Sequence, residues 1–230
     1  MEGEFYSSFL KSIAEKQTQL AVLIDPDKFQ VSKTKLFLNN IPKQTTHIFV
    51  GGSTVPKGET EETVKAIKKV TKLPVFLFPG DHSQITPFAD VLLFLSLLSG
   101  RNAEYLVGQQ IKSISKLKNS ALEIIATGYI LIDGGTDSAV SKVTNTQPLS
   151  QDNIETIVHT ALAGQFMGAK VIYLEAGSGA KFPIHPEVIS QVKNNINIPL
   201  IVGGGIKTEL QKQTAYNAGA DMIVMGTVFE

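Results

Sequence analysis

The sequence predicts an α/β protein built as a single closed barrel of (β/α)8 type. Three observations carry that expectation. Eight short apolar, β-rich runs recur along the 230 residues, several of them apolar throughout, as parallel strands covered on both faces must be. Most intervals between them are long enough for a helix, an alternation that reads as α/β. Glycine follows the last three runs, directly after the seventh and eighth and past Ala176 after the sixth, and the loops after strands 7 and 8 form the common phosphate site of such barrels.

Taken in order, the runs are residues 20–24, 47–50, 74–78, 91–96, 123–132, 170–175, 199–202 and 221–225. Helices are expected over 32–39, 61–70, 103–118, 153–168, 185–194 and 208–218. Two places are irregular. Between Phe78 and Val91 lies PGDHSQITPFAD, broken by Pro79 and Pro87, where no full helix is expected. The eighth run is followed almost at once by Glu230, so the last helix of the pattern is expected to be absent from residues 1–230. With no break between repeats, 1–230 reads as one barrel domain.

Composition narrows the function classes. Hydrophobic residues make up 43% and charged residues 18%, an ordinary globular balance. The 21 basic and 21 acidic residues cancel, so no global charge points to nucleic acid or an anionic membrane. Arg101 is the one arginine among those basic residues, which leaves phosphate to backbone N–H groups or lysine rather than guanidinium clamps. The absence of cysteine excludes disulfides, thiolate metal sites and cysteine nucleophiles. The N-terminus lacks a signal-peptide core, and the apolar run 91–98 is far short of the roughly 20 residues a bilayer span needs. The expected compartment is the cytoplasm, with transient contact at a membrane surface left open.

Chemistry is expected where strands end. The last three strand ends read YLEAGSGA, IVGGGI and MGTVF. Glycine there lets backbone approach a ligand closely and turn N–H groups toward phosphate oxygens. A single such glycine equally makes a plain tight turn. Three in consecutive strands favour a phosphate site. The first strand ends in AVLIDPDKF, where Asp25 sits at the terminus and Pro26 holds the exit extended. One carboxylate suits Mg2+, which keeps several waters and takes further ligands from substrate phosphate. An Asx turn or cap by Asp25 or Asp27 would use the same residues. The second strand ends in IFVGGST, whose Ser53 or Thr54 hydroxyl suits the same ion or a helix cap. Glu175, at the end of the sixth strand, is placed to bind hydroxyls or act as a base, or to pair with Lys181. His82, with Ser83 and Gln84, lies on the third loop, while His47, His159 and His185 show no metal-ligand spacing. Lys28 is within reach of a diphosphate, or simply exposed.

Together these motifs resemble the geranylgeranylglyceryl phosphate synthase family, including its bacterial heptaprenylglyceryl phosphate relatives. The resemblance spans nearly the whole chain. It rests on IDPDK (24–28), GGST (51–54), SLLSGRNAEYLVG (96–108), ATGYI (126–130), YLEAGSG (173–179), VGGGI (202–206) and MGT (225–227). VGGGI alone is common to many phosphate barrels; the ordered set is specific. The resemblance implies a modified TIM barrel lacking the third helix. It also implies transfer of a C20-like prenyl chain, that of geranylgeranyl diphosphate, to the terminal hydroxyl of sn-glycerol 1-phosphate, with Mg2+ at Asp25 and Ser53. Glycerol phosphate would lie against Tyr173, Leu174, Glu175, Ala176, Gly177, Ser178, Gly179, Gly204, Gly205, Gly226 and Thr227, with Glu175 catalytic. The prenyl tail would run near Leu97, Asn102, Tyr105 and Tyr129. Thr227 stands where the family more often has Asn, and a hydroxyl serves the same phosphate. Leu23, in place of the lysines of some bacterial relatives, resembles the larger archaeal-type subgroup. A homo-oligomer, dimeric or hexameric with the hexamer favoured, is implied for it.

Two other classes share parts of this pattern. A sugar-phosphate enzyme on the same barrel would have VGGGI and MGT but would not need DPDK or a long apolar groove. A phosphate- or prenyl-lipid-binding module would bind without turnover. An apolar groove on the strand 3–5 side of the mouth separates the first from prenyl transfer.

Overall fold

The computed structural model describes residues 3–226 and Phe229. Eight parallel strands close into a barrel in chain order: β1 (Gln19–Ile24), β2 (His47–Val50), β3 (Val75–Leu77), β4 (Val91–Leu97), β5 (Glu123–Leu131), β6 (Val171–Glu175), β7 (Leu200–Gly203) and β8 (Met222–Met225). β8 returns to β1, with Ala21 opposite Val224. Every strand bound falls within one residue of the expectation. The helices are α1 (Glu4–Ala14), α2 (Thr34–Asn40), α3 (Glu59–Val70), α4 (Gln109–Leu117, entered through a π-helical turn at Glu104–Gly108), α5 (Ala139–Thr144), α6 (Ile154–Phe166), α7 (Pro186–Asn195) and α8 (Glu209–Asn217).

Strand alternation sorts the apolar residues into two layers. Ala21, Phe49, Phe76, Leu93, Tyr129, Tyr173, Ile201 and Val224 fill the barrel interior as one buried cluster. Their outward neighbours Val22, Ile24, Ile48 and Val50 pack with Val64 and Ile67 of α3. On the far side Ile172, Leu174, Leu200 and Val202 do the same with α6 and α7. Both faces of each strand are thus apolar, which is why the runs are unbroken in the sequence.

Between β3 and β4 the chain makes one 3-10 turn, His82–Gln84, in place of a third helix. Pro79 and Pro87 bracket it. Two helices were not expected. The short α5 is one. The other, α1, seals the amino-terminal end of the barrel with Tyr6 and Phe9, which join the interior cluster. Its first turn is capped from a distance: Glu123 accepts from Phe5 N at 2.8 Å and Tyr6 N at 2.7 Å, satisfying helix-end donors with an anion. His47 faces the same plug, edge-on to Phe9 and Phe76. Burial pushes its imidazole down to about 4, so it stays neutral. Among the described residues no helix is long and apolar enough to cross a membrane.

Candidate active site

At the carboxyl ends of the strands the barrel opens into a cavity of about 340 Å³. Three kinds of wall meet there. The ends of β6, β7 and β8 contribute Gly177, Ser178, Gly179, Gly204, Gly205 and Gly226. The loops after β1, β2 and β3 contribute Asp25, Asp27, Lys28, Ser53, Thr54, Asp81 and His82. The third wall is apolar and lies on the β3–β5 side, with Phe78, Leu93, Leu95, Leu97, Tyr105, Tyr129, Val140 and Val143.

The glycine wall is backbone. Gly177, Gly179, Gly204 and Gly205 all have positive φ, between 71° and 97°. At Gly204 the requirement is also steric: a Cβ there would stand 2.4 Å from Glu175 Oε1 and 2.7 Å from Gly177 N. The amides of Gly179, Gly204 and Gly205 find no acceptor among the described residues. Free amides at such a turn suit an anion such as phosphate.

Glu175 sits between that wall and the apolar one. It follows Val171 and Tyr173 in the inward row of β6, and it is 6% exposed. Gly177 N donates to its Oε1 at 2.7 Å. Burial raises the carboxyl to about 7, against the opposing pull of the Gly177 amide and the nearby Tyr173 hydroxyl. A carboxyl in that range exchanges a proton near neutral pH. Tyr173 stacks on Phe78 with centroids 4.9 Å apart, and its ring centroid is 5.5 Å from that of Tyr129. Burial, then the charge of Glu175, holds both tyrosine hydroxyls well above their usual range. The Tyr173 hydroxyl lies next to Glu175 but outside hydrogen-bonding geometry, and it is buried without a partner among the described residues. A buried hydroxyl without a partner beside a cavity is open to a water or a polar ligand atom.

Asp25 leaves β1 half-buried and accepts from Asp27 N at 3.2 Å. Its carboxyl lies against Gly52, where a Cβ would come within 2.4 Å of Oδ1. This brings the β1 carboxylate onto the loop that carries Ser53. Among the described residues no three His, Cys, Asp or Glu side chains group to hold a metal by themselves.

Most expected site residues share this one cavity: Asp25, Ser53, Tyr105, Tyr129, Tyr173, Glu175, Gly177, Ser178, Gly179, Gly204, Gly205 and Gly226. Leu174 and Ala176 are not on its wall; alternation turns Leu174 outward, and both belong to the layer under the helices. Asn102 is also off the wall, its amide spent on Thr144 O (3.0 Å) and Glu104 N (3.1 Å). Thr227 lies outside the described residues. The sequence reading missed Asp81, Gln109, Val140, Val143 and Lys207, all on the wall. Only Lys207 carried a signal, its position directly after VGGGI.

The chain is similar to known proteins over nearly its whole length. The PcrB family matches residues 12–230. A geranylgeranylglyceryl phosphate synthase of Zunongwangia profunda is 53% identical, over 97% of this chain and 95% of its own. That of Thermococcus kodakarensis is 40% identical, over 97% and 88%. The crystal structure of (S)-3-O-geranylgeranylglyceryl phosphate synthase from Thermoplasma acidophilum, in complex with substrate sn-glycerol-1-phosphate, superposes with a TM-score of 0.90. It is 33% identical, and the match covers 100% of this chain and 92% of that one.

Proposed function

This chain belongs to the PcrB family, and from that premise we propose that it is a prenyltransferase acting on sn-glycerol 1-phosphate. It joins a prenyl diphosphate, geranylgeranyl diphosphate as the proposed donor, to the terminal hydroxyl. The products are an ether-linked prenylglyceryl phosphate and diphosphate. The observation that carries the reading is the meeting of an amide-lined concavity, a buried carboxyl and an apolar wall in one cavity. The wall lies on the β3–β5 side, where prenyl transfer, unlike sugar-phosphate chemistry, needs it.

In this reading the phosphate of sn-glycerol 1-phosphate takes the amides of Gly179, Gly204 and Gly205, which have no acceptor among the described residues. The orphan Tyr173 hydroxyl bonds a glycerol oxygen. The reacting hydroxyl faces Glu175. The glycerol oxygen forms a bond to the allylic carbon, the bond from that carbon to the diphosphate oxygen breaks, and diphosphate leaves with the electron pair. The hydroxyl proton passes to Glu175, whose value of about 7 matches such a transfer near neutral pH. Holding both substrates at one mouth supplies the proximity term. Phe78, Leu93, Leu97, Tyr105 and Tyr129 give the prenyl tail an apolar path that excludes water.

A magnesium ion is part of the proposal, and the donor set fits one. Asp25 and Ser53 are hard oxygen donors on one wall, and Gly52 leaves space for the carboxyl where any side chain would collide with it. One carboxylate with waters and substrate phosphate is a usual Mg2+ environment. Bound there, the ion would neutralise charge on the leaving diphosphate.

The test is incubation with radiolabelled sn-glycerol 1-phosphate and C15 to C35 prenyl diphosphates, with and without Mg2+. A lipid-extractable product that needs both substrates and the metal is expected. Binding of glycerol phosphate with no product from any donor would reduce the protein to a binding module. Asp25→Ala with normal Mg2+-dependent turnover would remove the metal assignment.

A further inference from the structure

We propose that Gln84 is a positioning residue: its buried amide clamps the Gly52 peptide and thereby holds Ser53 in register with Asp25. Gln84 is 3% exposed. Its Nε2 donates to Gly52 O at 2.7 Å, and its Oε1 accepts from Gly52 N at 3.3 Å. Both polar groups of one side chain are thus spent on both polar groups of one residue. A two-point contact of this kind fixes orientation as well as position. The near side of Gly52 is gripped by Gln84, and the Asp25 carboxyl occupies the space where its Cβ would be. Displacing Gly52 therefore moves Ser53 relative to Asp25.

The clamp has its own support. The turn His82–Gln84 stands where a third helix would be, and it is pinned rather than loose. Asp81 Oδ1 accepts from Ser83 N at 2.6 Å. Gln109 Oε1, on α4, accepts from His82 N at 2.8 Å. Lys116, also on α4, donates to the carbonyls of His82, Ser83 and Ile85 at 3.0, 3.0 and 3.2 Å. Gly80 brings the two loops together: a Cβ there would stand 2.4 Å from Gly52 O and 2.8 Å from Ser53 O. The missing helix is replaced by a wedge that α4 holds from behind and that grips the β2 loop in front.

The inference rests on reading Asp25 and Ser53 as the site of the cation and diphosphate, and its test separates the two. Gln84→Met keeps the volume and removes both hydrogen bonds; Gln84→Glu keeps the acceptor for Gly52 N and loses the donor to Gly52 O. Calorimetric titration with inorganic diphosphate and Mg2+ reads the site without turnover. About tenfold weaker binding is expected for Gln84→Met, a typical loss for a residue that orients a ligand-bearing group. Affinity for sn-glycerol 1-phosphate should stay unchanged, because the glycine wall is not clamped by Gln84. Gln84→Glu should also bind weakly. Amide exchange at residues 52–54 should quicken in Gln84→Met, while the melting curve confirms that it is folded. Wild-type diphosphate affinity in folded Gln84→Met overturns the proposal, as does an equal loss of glycerol phosphate affinity. Asp25→Asn runs in parallel. If it binds magnesium diphosphate normally while Gln84→Met does not, the cation assignment fails and the clamp stands.

Discussion

Glu175 and Tyr173 show how one strand carries two opposed demands. Both point inward and both are buried; Glu175 accepts from Gly177 N, while the Tyr173 hydroxyl has no partner among the described residues. Glu175→Gln is expected to lower kcat by about 10²–10⁴, the usual contribution of a positioned base, with little change in glycerol phosphate binding. In the wild type kcat/KM should rise with pH through about 7 as the carboxyl ionises. The residual activity of Glu175→Gln should lack that limb; full kcat in this variant would remove the base role. Tyr173→Phe separates stability from function. Removing a buried hydroxyl that has no partner among the described residues should stabilise the free protein by about 1 kcal/mol. The same change should weaken glycerol phosphate binding. Denaturant unfolding and calorimetry read the two effects, and a loss of stability would show that the hydroxyl is satisfied in the free protein.

At the scale of elements, the segment after β3 matters most. Pro79 and Pro87 already argued against a helix, and the chain makes a single turn instead. Nothing local to PGDHSQITPFAD shows what that turn leans on. Lys116 is 32 positions beyond Gln84 in the chain, yet its ammonium satisfies three carbonyls of the turn and its flank. Burial holds its pKa down, with Asp81 opposing. Lys116→Met keeps most of the stem packing and removes the donors. A loss of about 1–2 kcal/mol in denaturant unfolding is expected, discounted from the range for charged hydrogen bonds because the group is partly exposed. No change would mean that the proline-bracketed turn holds itself. α1 was similarly illegible, since its cap is Glu123 on β5, more than a hundred positions away.

Across the whole molecule two buried titrating groups pull stability in opposite directions with pH. Glu175 has a folded pKa of about 7, above its usual 4.5. Its contribution is complete below 4.5 and is lost as pH rises through 7. His47 has a folded pKa of about 4, below its usual 6.5. Its contribution is complete above 6.5 and is lost as pH falls through 4. The two slopes oppose each other over the shared window from 4.5 to 6.5. Glu175→Gln removes one of them. The difference in unfolding free energy between this variant and wild type should therefore grow in the variant's favour by roughly 3 kcal/mol from pH 4.5 to above 7. A difference that stays level with pH would mean that Glu175 is not held protonated by the fold.

The barrel was legible in the sequence because its signals are local. A strand buried on both faces is an apolar run wherever it lies, and a glycine after it has the same freedom in any context. Residues 173–179 and 202–206 therefore mark, from local pattern alone, a glycine wall suited to phosphate. Tertiary structure decided what local pattern cannot carry. Closing β8 on β1 puts Gly226 and Asp25 at one mouth, and packing Phe78 on Tyr173 joins the apolar wall to the carboxyl. It also turned Leu174 away from the cavity and spent Asn102 elsewhere. The proton affinity of Glu175 belongs to the fold entirely, because desolvation is the sum of everything packed around a group. So does the grip of Gln84 on Gly52, made between loops 32 residues apart.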